Sequence, residues 1–513
     1  MLPAYIHTVS CLLAAYLIAS FARKFSKDVY HRSPPYPPGP RPRIFLGNMF
    51  DFPKSKVPQT YLAWGKKYQM EGPILHASSF GKHFVILNRF SDAEELLERR
   101  AKIYSDRTQL PIFKLMGWAS LTGLLPYGNE WRMHRKLYQK HFRSEAIPDY
   151  HPLLLAKVRD LLRGLLITPE RFGDHSMMFA ASIPMETMYG YNVKSLEDPL
   201  VQAAHTSINL ATTLLLQGST LINIFPILAY LPTWFPGAGS LKMAKTVQDL
   251  TSTSEHSLFH FAKERTDQGH HARSFVARSL SQNKGSDAAI EDEAAVRDTA
   301  SAAFSAASDT TNSLLGTFFY LMAKHPEVQE RAQKELDAVV GTSRLPHFDD
   351  RPSLPYIEAI FREVFRFQPP APIGMSHAVM EDDVYKGYFI PKGSDVISNI
   401  WAMAHDEDVY PNPMDFKPER FFDEAGNLND DERVLAFGFG RRVCAGRYLA
   451  SSIMWITMAS VLACFKLEES KDEFGNEIEI NDDFDESGLM IHKAPFKCAF
   501  VPRSPAVIQL MNE

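Results

Sequence analysis

The sequence predicts a mostly α-helical body with a small β region, preceded by one N-terminal transmembrane helix. Three observations carry this. Residues 1–22 contain no Asp, Glu, Lys or Arg. Glu291–Lys324 reads as one long helix, with acidic residues in its first turn where the helix dipole favours them. Short strand signals gather at Ile74–Leu87 and Val384–Ser398, punctuated by Gly81-Lys82, Gly387 and Pro391-Lys-Gly393.

The 513 residues suffice for a large core. A length prior suggests about three domains, but no interior linker divides the chain. A formal net charge of −5 gives no reason to expect nucleic acid as a partner. The 4 cysteines, Cys11, Cys444, Cys464 and Cys498, are irregularly spaced. That argues against a disulfide framework and fits a reducing compartment.

Met1–Ala22 has about the length a bilayer core requires, roughly 20 residues. Arg23, Lys24 and Lys27 follow it, and the positive-inside rule keeps them, with the bulk of the chain, in the cytosol. A cleaved signal peptide is the alternative, with Ser20-Phe-Ala22 as its cleavage site. Its positive charges would have to precede the apolar run, and none does. Ser33-Pro-Pro-Tyr-Pro-Pro-Gly-Pro40 is a stiff spacer. The chain therefore divides into an anchor (1–22), a basic and proline-rich hinge (23–43) and one folded domain (44–513).

Within that domain, Ile74–Phe80 and His83–Leu87 flank Gly81-Lys82 as a hairpin. Ser91-Asp-Ala-Glu94 has capping-box spacing and is expected to open a short helix toward Arg100. Leu110–Tyr127 is apolar and suits loop and short helix, lining a pocket or filling core. Trp131 and Arg135 lie four apart on one helix face. An indole N–H and a guanidinium are suitable donors for a carboxylate; alone, the pair reads more simply as a cation–π contact. Leu200–Leu241 is strongly apolar, and the prolines and aromatics of Phe225–Gly237 suit an irregular lid. Exposed, it marks a membrane or substrate contact; buried, it is core. His270-His271, next to Gly269 and the polar run Ser279–Asp287, reads as solvated loop and not as a metal pair.

The Glu291–Lys324 helix carries Ala306-Ala-Ser-Asp-Thr-Thr311 at its middle. Small residues let a flat group approach. Thr310 can bond back to a carbonyl one turn earlier, or loosen that turn and hold a water. Asp309 can feed protons. Taken alone, the same residues also describe a capped or kinked helix. His325-Pro326 ends this helix, and Glu327–Val340 and Leu354–Phe367 form two more. Glu363 and Arg366 sit three apart in apolar surroundings, where a buried structural pair is expected. Pro372–His377 suits a strand edge, and Lys497–Val501 a closing strand. Cys464 and Cys498 read as packing residues, and no motif is evident from Lys471 onward.

The densest signal is Phe437-Gly-Phe-Gly-Arg-Arg-Val-Cys-Ala-Gly446, with the spacing F-x-x-G-x-R-x-C-x-G. A thiolate can be the axial ligand of haem iron. It stays ionised where backbone N–H groups and positive charge face it. Gly440 and Gly446 are expected to allow the tight backbone this needs. Phe437 can shield the loop from water, and Arg442 can pair with a haem propionate. Arg447–Trp455 is a helical start, so Cys444 sits just before a helix N-terminus. A lone Cys would be an ordinary core residue; five fixed positions in ten residues are not. Gly438-Phe-Gly440 does not extend to G-x-G-x-x-G, which discards a dinucleotide site.

This motif resembles the haem-binding signature of the cytochrome P450 family. The likeness runs in order and spacing through anchor, hinge, Trp131, Thr310, Glu363, Arg420 and Cys444. It implies the family's fold, with haem b (heme b) between the Asp309 helix and the Cys444 helix and Cys444 as iron ligand. It implies that Trp131, Arg135, Arg442, Arg107 and His377 face the propionates. It makes Asp309 and Thr310 the catalytic pair for O–O cleavage, although Ala307 stands where the family usually has Gly. It makes Glu363, Arg366 and Arg420 structural. It further implies O2, and electrons from NADPH through a separate flavin enzyme, NADPH-cytochrome P450 reductase. The substrate implied is an apolar small molecule (terpenoid, steroid-like or aromatic), and the location the endoplasmic reticulum membrane. Hinge, Tyr104-Ser-Asp-Arg107 and Tyr127-Gly-Asn-Glu-Trp131 look most like fungal microsomal members of secondary metabolism or xenobiotic oxidation. A haem-thiolate isomerase or dehydratase, and a non-enzymatic haem-binding sensor, are the competing readings. Asp309-Thr310 argues against the isomerase, which needs no proton relay.

Overall fold

The structure, a computed structural model, describes residues 33–68, 74–215, 220–268, 274–282, 289–486 and 488–512. The expected anchor, the basic part of the hinge and His270-His271 lie outside the described residues. The chain forms two compact units, one from residues up to 108 with 373–402, the other from 109–372 with 403–513.

The smaller unit is built on helix α1 (Val57–Tyr68) and strands β1 (Ile74–Ser79) and β2 (Lys82–Leu87). The strands pair antiparallel with Ser79 opposite Lys82, so the two turn residues are Phe80 and Gly81, one earlier than the sequence suggests. Both have positive φ, +47° and +80°, as a two-residue turn that follows the strand twist requires. Strands β3 (His377–Ala378), β4 (Asp383–Tyr385), β5 (Tyr388–Ile390) and β6 (Asp395–Ser398) follow. The sheet order is β1-β2-β6-β3, with β4 and β5 a separate hairpin. Leu75, Ile86 and Ile397 bury one sheet face against Tyr61 of α1. The capping box does not form. The helix begins at Phe90, with Arg89 as its cap, and passes into a π-helix at Glu94–Arg99. Glu94 accepts from Arg99 at 3.0 Å and is drawn away from a capping role.

The larger unit is helical: α2 (Asn129–Phe142), α3 (His151–Ile167), α4 (Phe172–Tyr189), α5 (Pro199–Leu215), α6 (Gly239–Asp267), α7 (Ala289–Lys324), α8 (Pro326–Val339), α9 (Pro355–Phe367) and α10 (Arg447–Cys464). Helix α7 runs 36 residues. Its C-terminal half buries Leu315, Phe318 and Phe319 completely, each worth about 1.5–3 kcal/mol of apolar transfer. Helix α10 is apolar on all sides, the mark of a fully enclosed helix. It is long and apolar enough to cross a membrane, but 72% of it is buried in the protein, so it is a core helix. Strand β7 (Phe465–Glu469) pairs with β10 (Cys498–Pro502), and β8 (Phe484–Asp485) with β9 (His492–Lys493). Cys464 and Cys498 are buried, as expected of packing residues. Two segments differ from the sequence reading. Ser279 is not in a solvated loop but in the helix Phe275–Gln282, buried against His141 at 3.2 Å. A final helix, Pro505–Asn512, packs Val507 and Met511 into the core.

The buried pair expected at Glu363 is present, and it has three cationic or N–H partners. Arg366 donates from Nε and Nη2 at 2.6 and 2.9 Å, Arg420 from Nε at 3.1 Å and the Lys417 N–H at 2.8 Å. Arg366 also donates to the carbonyls of Ala404 and Pro413, and Arg420 to those of Pro411 and Asp415. The side chain of Glu363 is 0% exposed. Removing one member of such a network leaves an uncompensated charge. Glu363→Ala is expected to destabilise the protein by about 3–5 kcal/mol, read from its urea midpoint. Asp51→Ala, which breaks an exposed pair with Arg43, is expected to cost under about 1 kcal/mol in the same measurement.

Candidate active site

The loop around Cys444 is made from two single turns, Leu435–Phe437 and Gly440–Arg442. The Cys444 N–H donates to the Phe437 carbonyl at 2.8 Å and closes the loop between them. The tight backbone comes from Gly438 and Gly440, not from Gly440 and Gly446 as the motif suggests. Gly438 has φ +74° and ψ −161°, a region open essentially to glycine alone. Gly440 has φ +55°, whereas Gly446 has an ordinary φ of −90°. The role of Gly446 is different: its N–H points to the Cys444 sulfur, and it caps α10. A Cβ on Gly438 or Gly446 would meet no protein atom within 4 Å, so both glycines border open space. Phe437 is half-buried, its ring 5.5 Å from that of Phe365 on α9.

Cys444 has accessible surface although it lies deep within the protein. Its accessible side therefore faces an internal space, not the outer surface. Burial pushes the Cys444 thiol up; the Gly446 N–H, then Arg135 and Arg447, pull it down without cancelling the burial. Burial likewise lowers Arg135, against the opposing pull of Cys444. Arg135 is fixed beside the loop by donating to the Val443 carbonyl at 2.8 Å. The protein alone thus leaves this sulfur short of ionisation, and a coordinated cation would supply the difference. These features fit a haem: a sulfur aimed into an internal space, glycines bordering it, and cations around it.

Trp131 and Arg135 lie on α2 as expected, but the cation over the Trp131 ring is Arg442, at 4.6 Å. Arg442 also donates to the Leu125 carbonyl at 2.9 Å. Trp131, Arg135, Phe437, Arg442 and Cys444 are thereby brought into one neighbourhood. Tyr138, one turn along α2 from Arg135, donates to the Thr299 carbonyl at 2.8 Å and ties α2 to α7. On α7, Thr310 bonds back to the Ala306 carbonyl at 2.8 Å. Ala306 is exposed midway along the helix, between half-buried Ser305 and Ala307, so this face is open. Asp309, one residue before Thr310, pairs through Oδ1 with His492 Nε2 of β9 at 3.1 Å.

Arg107 and His377 lie together in the smaller unit. Arg107 Nη1 donates to the carbonyls of Met375 and Ser376 at 2.7 and 2.6 Å. His377 Nδ1 meets the Tyr104 carbonyl at 2.7 Å. Three residues escape the sequence reading: Gly438, Arg447 and His492. The Gly-Phe-Gly doublet signals the first. Arg447 is visible as the first residue of α10. Nothing local signals His492, whose importance arises only from its place opposite Asp309.

Comparison with known proteins agrees with this geometry. The family model of cytochrome P450 matches residues 37–500. The cytochrome P450 monooxygenase claR of Ampulloclitocybe clavipes is 38% identical over 93% of this chain and 88% of its own. The cytochrome P450 monooxygenase COX2 of Coprinopsis cinerea is 36% identical over 94% and 92%. The cytochrome P450 monooxygenase ppsD of Aspergillus oryzae is 36% identical over 93% and 90%. The chain belongs to the cytochrome P450 family; it is an oxidoreductase with a mostly helical fold and a haem-thiolate cofactor.

The two glycines separate backbone strain from cofactor space. Gly438→Ala is expected to lower the stability of the protein by at least about 1 kcal/mol through its backbone region. Gly446→Ala is expected to leave the stability of haem-free protein unchanged and to weaken haem binding. Chemical denaturation of the haem-free form and haem titration check the two outcomes.

Proposed function

We propose that this chain is a membrane-anchored monooxygenase that inserts one oxygen atom from O2 into an apolar small molecule, a terpenoid, steroid-like or aromatic compound, in fungal secondary metabolism or xenobiotic oxidation. The observation that carries the proposal is the Asp309-Thr310 pair on an open face of α7, in the same unit as the Cys444 loop. An isomerase or a sensor has no use for a carboxylate and a hydroxyl there.

Haem b, held through the Cys444 sulfur, would supply O2 binding and activation. The chain does the rest. Trp131, Arg135 and Arg442 would hold the cofactor through its propionates, and the family resemblance adds Arg107 and His377 as further donors. Phe437 keeps water from the sulfur. Asp309 presents a proton at its carboxylate oxygen. Thr310, released from the Ala306 carbonyl, holds the water that receives it. Electrons come from NADPH through a separate flavin reductase.

The membrane assignment combines the charge-free residues 1–22, the hinge 23–43 and a surface patch on the domain 44–513. Ile227, Tyr230 and Trp234 are 72%, 85% and 79% exposed in the segment between α5 and α6. Large apolar side chains left in the open together suit a lipid surface. The chain is then a single-pass protein of the endoplasmic reticulum with its domain in the cytosol.

Membranes holding the protein and a matched reductase, given NADPH and a panel of terpenoids, steroids and aromatics, are expected to yield a product heavier by one oxygen atom. Thr310→Ala is expected to cut product per NADPH by a factor of about 10 or more while NADPH consumption continues. Undiminished turnover in Thr310→Ala would return the isomerase reading. No NADPH oxidation with reductase present would favour the sensor.

A further inference from the structure

The ion-pair partner of Asp309 comes from outside its own helix, whose neighbouring side chains are Ala306, Ser305, Thr310, Asn312 and Ser313. Asp309 is held from the C-terminal hairpin. His492 Nε2 lies 3.1 Å from Asp309 Oδ1, with the Asp309 side chain 15% and the His492 side chain 32% exposed. The hairpin cannot drift away from α7. On one side of His492, the Ile491 carbonyl accepts from Ser313 of α7 and its N–H donates to the Pro370 carbonyl at 2.9 Å. On the other side, Lys493 is turned away, donating to the Asp483 carbonyl at 2.7 Å and to Asn481 at 3.0 Å. His492 is thus presented to Asp309 by a fixed backbone.

We propose that His492 is a positioning residue and proton reservoir for Asp309, holding its carboxylate as an imidazolium and recharging it with each proton delivered. This rests on the proton-delivery reading of Asp309 given above. The step balances without any further reactant. The Nε2–H bond breaks and an Oδ1–H bond forms, so imidazolium and carboxylate become imidazole and carboxylic acid. The acid passes its proton to the water at Thr310, and the exposed part of the imidazole regains one from solvent. No electron moves.

The groups facing His492 set its titration. Asp309 comes from α7, Asp485 from the opposed position on β8 and His205 from α5. Burial alone lowers the imidazole, but the hydrogen bond and charge of Asp309, with Asp485, outweigh it and raise the value above 6.5. Burial lowers His205, and Asp309 pulls it up by a smaller amount. The sign follows. The charged pair is complete below the ordinary histidine value and is lost as pH rises through the raised one. Coupling of NADPH use to product is therefore highest on the acid side and falls as pH rises.

The test uses full-length holoenzyme. In the diamagnetic ferrous–carbon monoxide form, with ¹³C-labelled histidine, the signal lost in His492→Gln is followed against pH. It is expected to titrate above 6.5, and to move to lower pH in Asp309→Asn. In parallel, peroxide and product per NADPH are measured across pH in variants that keep the thiolate spectrum. His492→Gln is expected to lower product per NADPH severalfold and to flatten its pH profile. His492→Lys, which keeps the charge but does not give up its proton in this range, is expected to recover only part of the coupling, with a flat profile; full recovery overturns the reservoir role. An unmoved His492 titration in Asp309→Asn overturns the pair. A moved titration with wild-type coupling in His492→Gln overturns the proton role and leaves that of Asp309 standing. Wild-type coupling in Asp309→Asn instead removes the proton-delivery reading itself, and this proposal with it.

Discussion

A sulfur atom must carry negative charge in a place where burial disfavours it. Desolvation is the largest influence on Cys444, and it acts the wrong way. What the chain can set against it is limited: one N–H from Gly446 and the charges of Arg135 and Arg447. Arg135 is itself buried and cannot be added freely, since each buried cation costs its own hydration. The arrangement leaves the thiol short of ionisation, and a cation held by the sulfur would make up the difference. A loop that is to hold such a cation needs rigidity of its own.

That rigidity begins well outside the loop. Helix α9 carries both Glu363 and Phe365. The first binds Arg366, Arg420 and the Lys417 N–H; the second lies against Phe437 at the start of the loop. The arginines in turn bind carbonyls at Ala404, Pro411, Pro413 and Asp415, in a stretch with little regular structure to satisfy them. A buried charge network is a poor source of net stability. Here it has a visible use: it pairs four carbonyls of irregular backbone upstream of Cys444 that apolar packing would leave unpaired.

What could be read from the chain is what lies close together in it. The Phe437–Gly446 spacing, the Glu363–Arg366 pair and the α7 face each occupy one turn or one loop, so residue spacing nearly fixes the geometry. Misreadings arise where a neighbour competes. Glu94 has the spacing of a capping residue but is taken by Arg99. Arg135 shares a helix face with Trp131 but is taken by the Val443 carbonyl, leaving the indole to Arg442. Of Gly440 and Gly446, the two glycines expected to allow the tight backbone, only Gly440 has positive φ; the second such position is Gly438. His492 was not legible at all. It belongs to a two-residue strand whose partner is another two-residue strand, and nothing in such a segment reports what it will face.

Helix α7 joins these parts. Thr299 accepts from Tyr138 of α2, the helix that also brings Arg135 to the sulfur loop. One turn beyond Asp309, Ser313 fixes the hairpin that carries His492. The same helix therefore keeps the register between the sulfur side and the proton side of the site. Its buried aromatic half, Phe318 and Phe319, anchors it in the core. A residue as exposed as Ala306 contributes little to stability. Its small size is better explained by what must approach the helix there than by how the helix packs.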